Sequence, residues 1–111
     1  KATRHACLWM LEQGLAGLHH ECLPWLHERG VAVLGSDCIS DVVPLSGNSG
    51  WCMPIHQVTL VAMGVHLLDN LNLGDLMKAC AELAQWEFQL TIAALRIEGG
   101  TGSPVNPIAL L

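Results

Sequence analysis

The stretch "MPIHQVTLVAMGVHLLDNLNLGDL", residues 53–76, decides how the chain is read. Pro54 suits the first turn of a helix, where its missing N–H has no intrahelical partner to lose, and Gly64 suits the stop. The run "VHLLDNL" then predicts a short strand, and "NLGDL" opens a second helix. A helix, a strand and a helix in close succession predict α/β layering. His56 heads the first of these helices and Asp69 ends the strand.

Upstream, "LHHECLPWLHERG" predicts a helix with Cys22, Leu23 and Leu26 inward, Pro24 in its first turns and Gly30 at its end. Residues 31–37, "VAVLGSD", form a short apolar run rich in β-branched residues, which predicts a strand buried on both faces. "CISDVVPLSGNSGWCM" has the composition of a loop, and long ordered loops are often functional. Residues 1–14 can be helical, with Ala2, Ala6, Cys7, Met10 and Leu11 near one face.

Downstream, Leu73, Leu76, Met77, Cys80 and Leu83 make one stripe of an amphipathic helix. "EFQLTIAALRI" predicts a long third strand, and the tail "EGGTGSPVNPIALL" a tight turn into a last edge strand. Glycines 99, 100 and 102 are not followed by the Lys-Ser/Thr ending or the helix start of a phosphate loop. The alternation of helices and strands points to an α/β fold with the sheet in the middle.

Composition bounds the function. The 111 residues suffice for one small domain, and with 51% of them hydrophobic and a mean hydropathy of +0.40 most of the chain expects burial. Only 14% are charged, against roughly 25% in an average soluble domain, so part of the outside is expected to lie against other protein. Five Lys and Arg in a chain of net charge −5 cannot supply the basic surface of a nucleic-acid binder. No apolar run reaches the roughly 20 residues of a membrane-spanning helix. "KATRHACLWM" lacks the apolar core and cleavage site of a signal peptide. Five scattered cysteines without a CxxC pair suit free thiols in a reducing compartment, and the cytoplasm is expected. The chain opens on Lys1 rather than a methionine, which suggests processing or truncation.

Among residues that carry chemistry, His19, His20 and His27 tempt a metal reading, but the HExxH spacing of a zinc helix is absent and exposed polarity on a helix explains them as well. His5 and His66 carry no pattern. His56 follows a glycine-rich loop at a helix start, where a neutral imidazole can act as base or ligand, or can be structural. Asp37 and Asp41, in "GSDCISD", stand at a strand end, where α/β sheets place their chemistry, and equally where an Asx turn or helix cap is found. Asp69 either joins a site or caps the helix after it. No GxSxG serine and no recognisable nucleophilic cysteine occurs.

The segments "LPWLHERGVAVLGSD", "SDV", "PIHQVTLVAMGVHLLDNLNLGDL" and "WEFQLTIAALRIEGGTGSPVNPIAL", in this order and spacing, resemble the C-terminal part of the cyclase family, which includes kynurenine formamidase and isatin hydrolase. The resemblance covers residues 17–110 and leaves 1–16 as a poorly matching N-terminal helix or connection. It implies part of a swivelling β/β/α domain, a mixed sheet packed with helices. The implied activity is metal-dependent hydrolysis of an amide or cyclic amide, with zinc or manganese activating water. The family's HxGTHxDxPxH motif does not occur in this chain, so the principal ligands are expected upstream. By resemblance His56 is a metal ligand or proton-transfer residue, Asp37 a catalytic residue and Asp69, where many members have Glu, a metal ligand. The implied partners are a small-molecule amide substrate and a second copy of the chain, as a homo-oligomer. The alternative is a non-catalytic interaction or regulatory module on the same scaffold.

Overall fold

Ser40 and Asp41, two polar residues, are among the most deeply buried side chains of the protein, and the fold is best followed as the set of elements that closes over them. The computed structural model describes residues 14–43 and 53–111. The expected helix over 1–14 and the greater part of the glycine-rich loop lie outside the described residues. The chain divides into two compact units, Lys1–Asn72 and Leu73–Leu111.

In the first unit a single 3-10 turn, His20–Cys22, leads into helix α1, Leu23–Glu28, with Pro24 in its first turn and Leu26 buried. Its end is set by Gly30 at φ +62°, where the Val31 N–H reaches back to the Leu26 carbonyl at 3.2 Å and the Gly30 N–H to the His27 carbonyl at 3.0 Å. That 6→1 and 5→2 pair is the Schellman ending for which a left-handed glycine is the natural residue. Strand β1, Val33–Gly35, follows.

Helix α2, Pro54–Val58, starts at the expected proline and widens into a π-helical turn, Thr59–Met63, before Gly64 stops it. The Thr59 hydroxyl, fully buried, donates to the Ile55 carbonyl at 2.6 Å and satisfies an acceptor within the widened stretch. Strand β2, His66–Leu68, pairs in parallel with β1 in the register Val33↔His66, Leu34↔Leu67, Gly35↔Leu68. Beyond the strands the two segments continue to pair: the Asn70 N–H donates to the Cys38 carbonyl (2.9 Å) and the Leu71 N–H to the Ser36 carbonyl (2.9 Å).

A third segment fastens this pair. Leu15 bridges Val43 in antiparallel fashion and Leu18 bridges Asp41 in parallel, with the Leu18 N–H donating to the Ser40 carbonyl at 2.8 Å. Gly17 makes the approach possible, because a Cβ there would overlap the carbonyl group of Asp41 and the nitrogen of Val42. Among the described residues of this unit, the buried apolar side chains are Leu26, Ile55, Val65 and Leu68.

The second unit holds helix α3, Gly74–Leu83, and strands β3, Gln89–Thr91, and β4, Ile108–Leu110, which pair in antiparallel fashion. Cys80 is buried, whereas Met77 and Leu83 of the expected stripe are exposed. Ala84 ends α3 at φ 48°, a left-handed position occupied by a residue with a Cβ.

The α/β class and the order of elements agree with expectation. Three details differ. Among the described residues the strands form a parallel pair and an antiparallel pair rather than one sheet. Strand β1 is only partly covered, with Gly35 exposed, because no neighbour other than β2 pairs with it among the described residues. The third strand is three residues long rather than spanning "EFQLTIAALRI", since its pairing ends where its three-residue partner does. Of the cysteines, Cys22, Cys38 and Cys80 are free thiols, only the last fully buried. No described helix is long and apolar enough to cross a membrane.

Candidate functional site

Three segments of the first unit converge on the His56 ring. The bridges to residues 15–18 hold Ser40 and Asp41, helix α2 carries His56 in its first turn, and the end of β2 delivers Asp69. His56 Nδ1 lies 2.6 Å from Asp41 Oδ2, and Nε2 lies 2.9 Å from Asp69 Oδ2. The imidazole is therefore bracketed by a carboxylate at each nitrogen. Asp41 is fully buried, whereas the side chains of His56 and Asp69 are 23% and 21% exposed. Of the three side chains, solvent reaches His56 and Asp69.

Each carboxylate is itself held. The Ile55 N–H donates to Asp41 Oδ1 at 2.8 Å and the His56 N–H to Oδ2 at 3.1 Å, so Asp41 caps α2 from a remote segment. The helix needs that acceptor, because its own N-cap is Met53, in the left-handed region at φ 57° with no side-chain oxygen to offer. The Ser40 hydroxyl and backbone N–H donate to Asp69 Oδ1 at 2.7 and 3.1 Å. An ionised carboxylate only accepts, so Nδ1 donates to buried Asp41, and Nε2 likewise donates when it meets Asp69 Oδ2 directly.

Of the residues singled out in the sequence, His56 and Asp69 are brought together. Asp69 does not cap α3, whose N-cap is Leu73. Asp37 is not in contact with the cluster. It is exposed and lines a cleft of about 220 Å³ with Gly17, Leu34, Cys38 and Ser40. Asp41, four residues on, is the carboxylate beside His56 Nδ1, and Ser40, which holds Asp69, was not singled out at all. A usable signal was present: "WCMPIH" has no Ser, Thr, Asp or Asn directly before Pro54, so the helix start had to find its acceptor elsewhere. The rings of His19 and His20 lie against each other in a tilted arrangement, centroids 4.1 Å apart, away from this cluster in sequence and bonding.

A divalent ion can be tested against this geometry. Nε2 and Oδ2 are an imidazole nitrogen and a carboxylate oxygen, the donor types of zinc and manganese sites. Their 2.9 Å separation is close to the spacing of two adjacent ligand atoms on one ion with bonds of about 2.1 Å. A histidine whose other nitrogen is fixed by a buried carboxylate is the usual support for such a ligand. The pair fits. Among the described residues no group of three or more His, Cys, Asp or Glu is arranged to hold an ion by itself.

Comparison with known proteins gives no matching family model and no matching curated protein. A solved structure does match: the crystal structure of a protein described as a novel cyclase aligns with 88% of this chain at 33% identity and a TM-score of 0.78. That relates the chain to the cyclase family. The chain spans only 31% of the length of that cyclase. Both identity and fold are shared over the aligned part, which agrees with the resemblance carried by the sequence blocks around His56.

Proposed function

We propose that the chain is the C-terminal part of a cyclase-family hydrolase that cleaves an amide or cyclic amide, built on a swivelling β/β/α domain and working in the cytoplasm. The observation that carries this reading is the pairing of His56 Nε2 with Asp69 Oδ2 at 2.9 Å, between two side chains that are both partly exposed. Asp69 and His56 would hold a zinc or manganese ion together with ligands from sequence outside this chain. When bound, such an ion supplies the activation of water toward a carbonyl. The chain's own residues present one nitrogen and one oxygen, exclude water behind them with buried Asp41 and Ile55, and keep a proton on Nδ1.

A catalytic metal site needs about three protein ligands and an open position, so the isolated chain should not turn over an amide. The test is titration of Zn2+ and Mn2+ into the protein and its His56→Ala and Asp69→Ala variants, alongside a formamide-hydrolysis assay. Binding that both substitutions abolish supports the reading. Binding untouched by either, or hydrolysis by the isolated chain that disappears in His56→Ala, counts against it.

A second reading, a non-catalytic interaction module, is favoured by the apolar surface. Trp25 and Val61 in the first unit and Trp86, Leu95 and Ile97 in the second are more than half exposed. Exposed apolar side chains of this size suit a surface that other protein covers, either the rest of the domain or a second copy, where they adjoin one another. Sedimentation across a range of concentrations checks this, and a well-behaved monomer throughout would weaken it.

A further inference from the structure

We propose that the adjacent residues Ser40 and Asp41 are the positioning element of this site, each committing one atom of a different functional side chain so that the complementary atom is the one presented. The proposal rests on the hydrolase reading for what binds there, but not for the arrangement itself.

Asp41 takes His56 Nδ1 at 2.6 Å, which leaves Nε2 as the outward nitrogen. Ser40 takes Asp69 Oδ1 twice, through its hydroxyl and its N–H, which leaves Oδ2 as the outward oxygen. Neither His56 nor Asp69 has a choice of atom once these bonds form. The two atoms left over are the two that face each other.

Burial makes the commitment firm. Ser40 and Asp41 are 1% and 0% exposed, so water cannot replace either as a partner, and breaking one of their bonds strands a buried polar group. Their backbone is fixed independently of the site. The Ser40 carbonyl accepts from the Leu18 N–H at 2.8 Å, and the Leu18 carbonyl accepts from the Val42 N–H at 3.3 Å. One dipeptide, clamped by backbone pairing on its far side, thus aligns two residues that are 13 positions apart in the chain.

The role differs from simple support. An Asn at position 41 has one acceptor oxygen for the three N–H groups that Asp41 serves, and at the Oδ2 place it serves two of them and keeps the proton on Nδ1. Asp41→Ala offers the ring no acceptor at all. With Asp69 left as the partner of the ring, the proton should then sit on Nε2 alone, which a loss of stability by itself would not cause. Ser40→Ala should leave the tautomer intact and loosen only Asp69.

The experiment is nitrogen-15 NMR of the His56 ring at neutral pH in the wild-type chain, Asp41→Ala and Ser40→Ala, with and without Zn2+ as the sole added probe, the resonances being assigned with His56→Gln. Expected are a protonated Nδ1 in the wild type, its loss in Asp41→Ala, its retention in Ser40→Ala, and Zn2+ affinity about 10- to 100-fold weaker in both variants. A bare Nδ1 in the wild type overturns the proposal whether or not the variants fold. So does a protonated Nδ1 in folded Asp41→Ala or, where the wild type binds Zn2+, unchanged affinity in Ser40→Ala. If Zn2+ moves neither nitrogen while the tautomers behave as expected, the positioning role stands and the metal reading falls.

Discussion

Asp41 Oδ2 accepts two hydrogen bonds from His56, one from its backbone N–H at 3.1 Å and one from ring Nδ1 at 2.6 Å, so a single carboxylate oxygen fixes both where this residue sits and how its ring is turned. Helix capping and site geometry are the same contact. Any substitution at position 41 is therefore felt in both.

Asp41→Ala should destabilise the protein by on the order of 3 kcal/mol, because it strands the buried Ile55 N–H together with the His56 N–H and Nδ1, and an unsatisfied buried donor typically costs about 1–3 kcal/mol. Urea denaturation monitored by tryptophan fluorescence checks this. A loss under about 1 kcal/mol would show that the capping bonds matter little. Asp75→Ala, on an exposed side chain 3.8 Å from Lys78, serves as the neutral comparison.

Ser40→Ala should cost less, about 1 kcal/mol, since the backbone N–H of residue 40 still reaches Asp69 Oδ1 and only the hydroxyl bond is lost. A loss as large as that of Asp41→Ala would mean that Asp69, not Asp41, anchors the cluster. The same denaturation series decides it.

Gly17→Ala should disrupt the first unit, because its Cβ would collide with the backbone of Asp41 and Val42, atoms that cannot swing aside as a side-chain tip can. Amide exchange at Ile55 is the sensitive readout. Its protection should fall in Gly17→Ala and stay unchanged in Gly102→Ala, where the added methyl meets open space. Equal protection in both would remove the strap at residues 15–18 from the account of the site.

The two helix endings make opposite predictions. Gly30→Ala places a Cβ at φ +62° and should cost roughly 1 kcal/mol, whereas Ala84→Gly relieves the same strain at φ 48° and should gain a similar amount. Thermal midpoints should move in opposite directions. A gain at both positions, or a loss at both, would contradict the assignment of left-handed endings.

Much of this architecture was legible from local signals. Pro24, Pro54, Gly30 and Gly64 mark helix starts and stops through their own backbone chemistry, which no distant contact can alter, and each lies where it was expected. The length of β3 was not legible, because a strand ends where its partner does and "EFQLTIAALRI" says nothing of β4. The partial exposure of β1 was equally hidden, since what covers a strand is set by chain far from it.

The site divided along the same line. His56 and Asp69 could be picked out from a helix start and a strand end. Choosing between Asp37 and Asp41 could not be done within "GSDCISD", where both are plausible turn or cap residues. Residues 15–18 clamp the chain at 40–43, where Asp41 is buried, while Asp37 stays exposed.

Because α2 borrows its cap from Asp41 instead of carrying one, the helix has little reason to form before its distant neighbours arrive. A ten-residue segment starting on a left-handed Met53 is a poor nucleus on its own. Its formation must wait for long-range pairing, which is slow compared with local helix growth. The consequence is kinetic: the ring of His56 should lock last and all at once, so a partly folded chain would present no half-built site to passing ions or substrates.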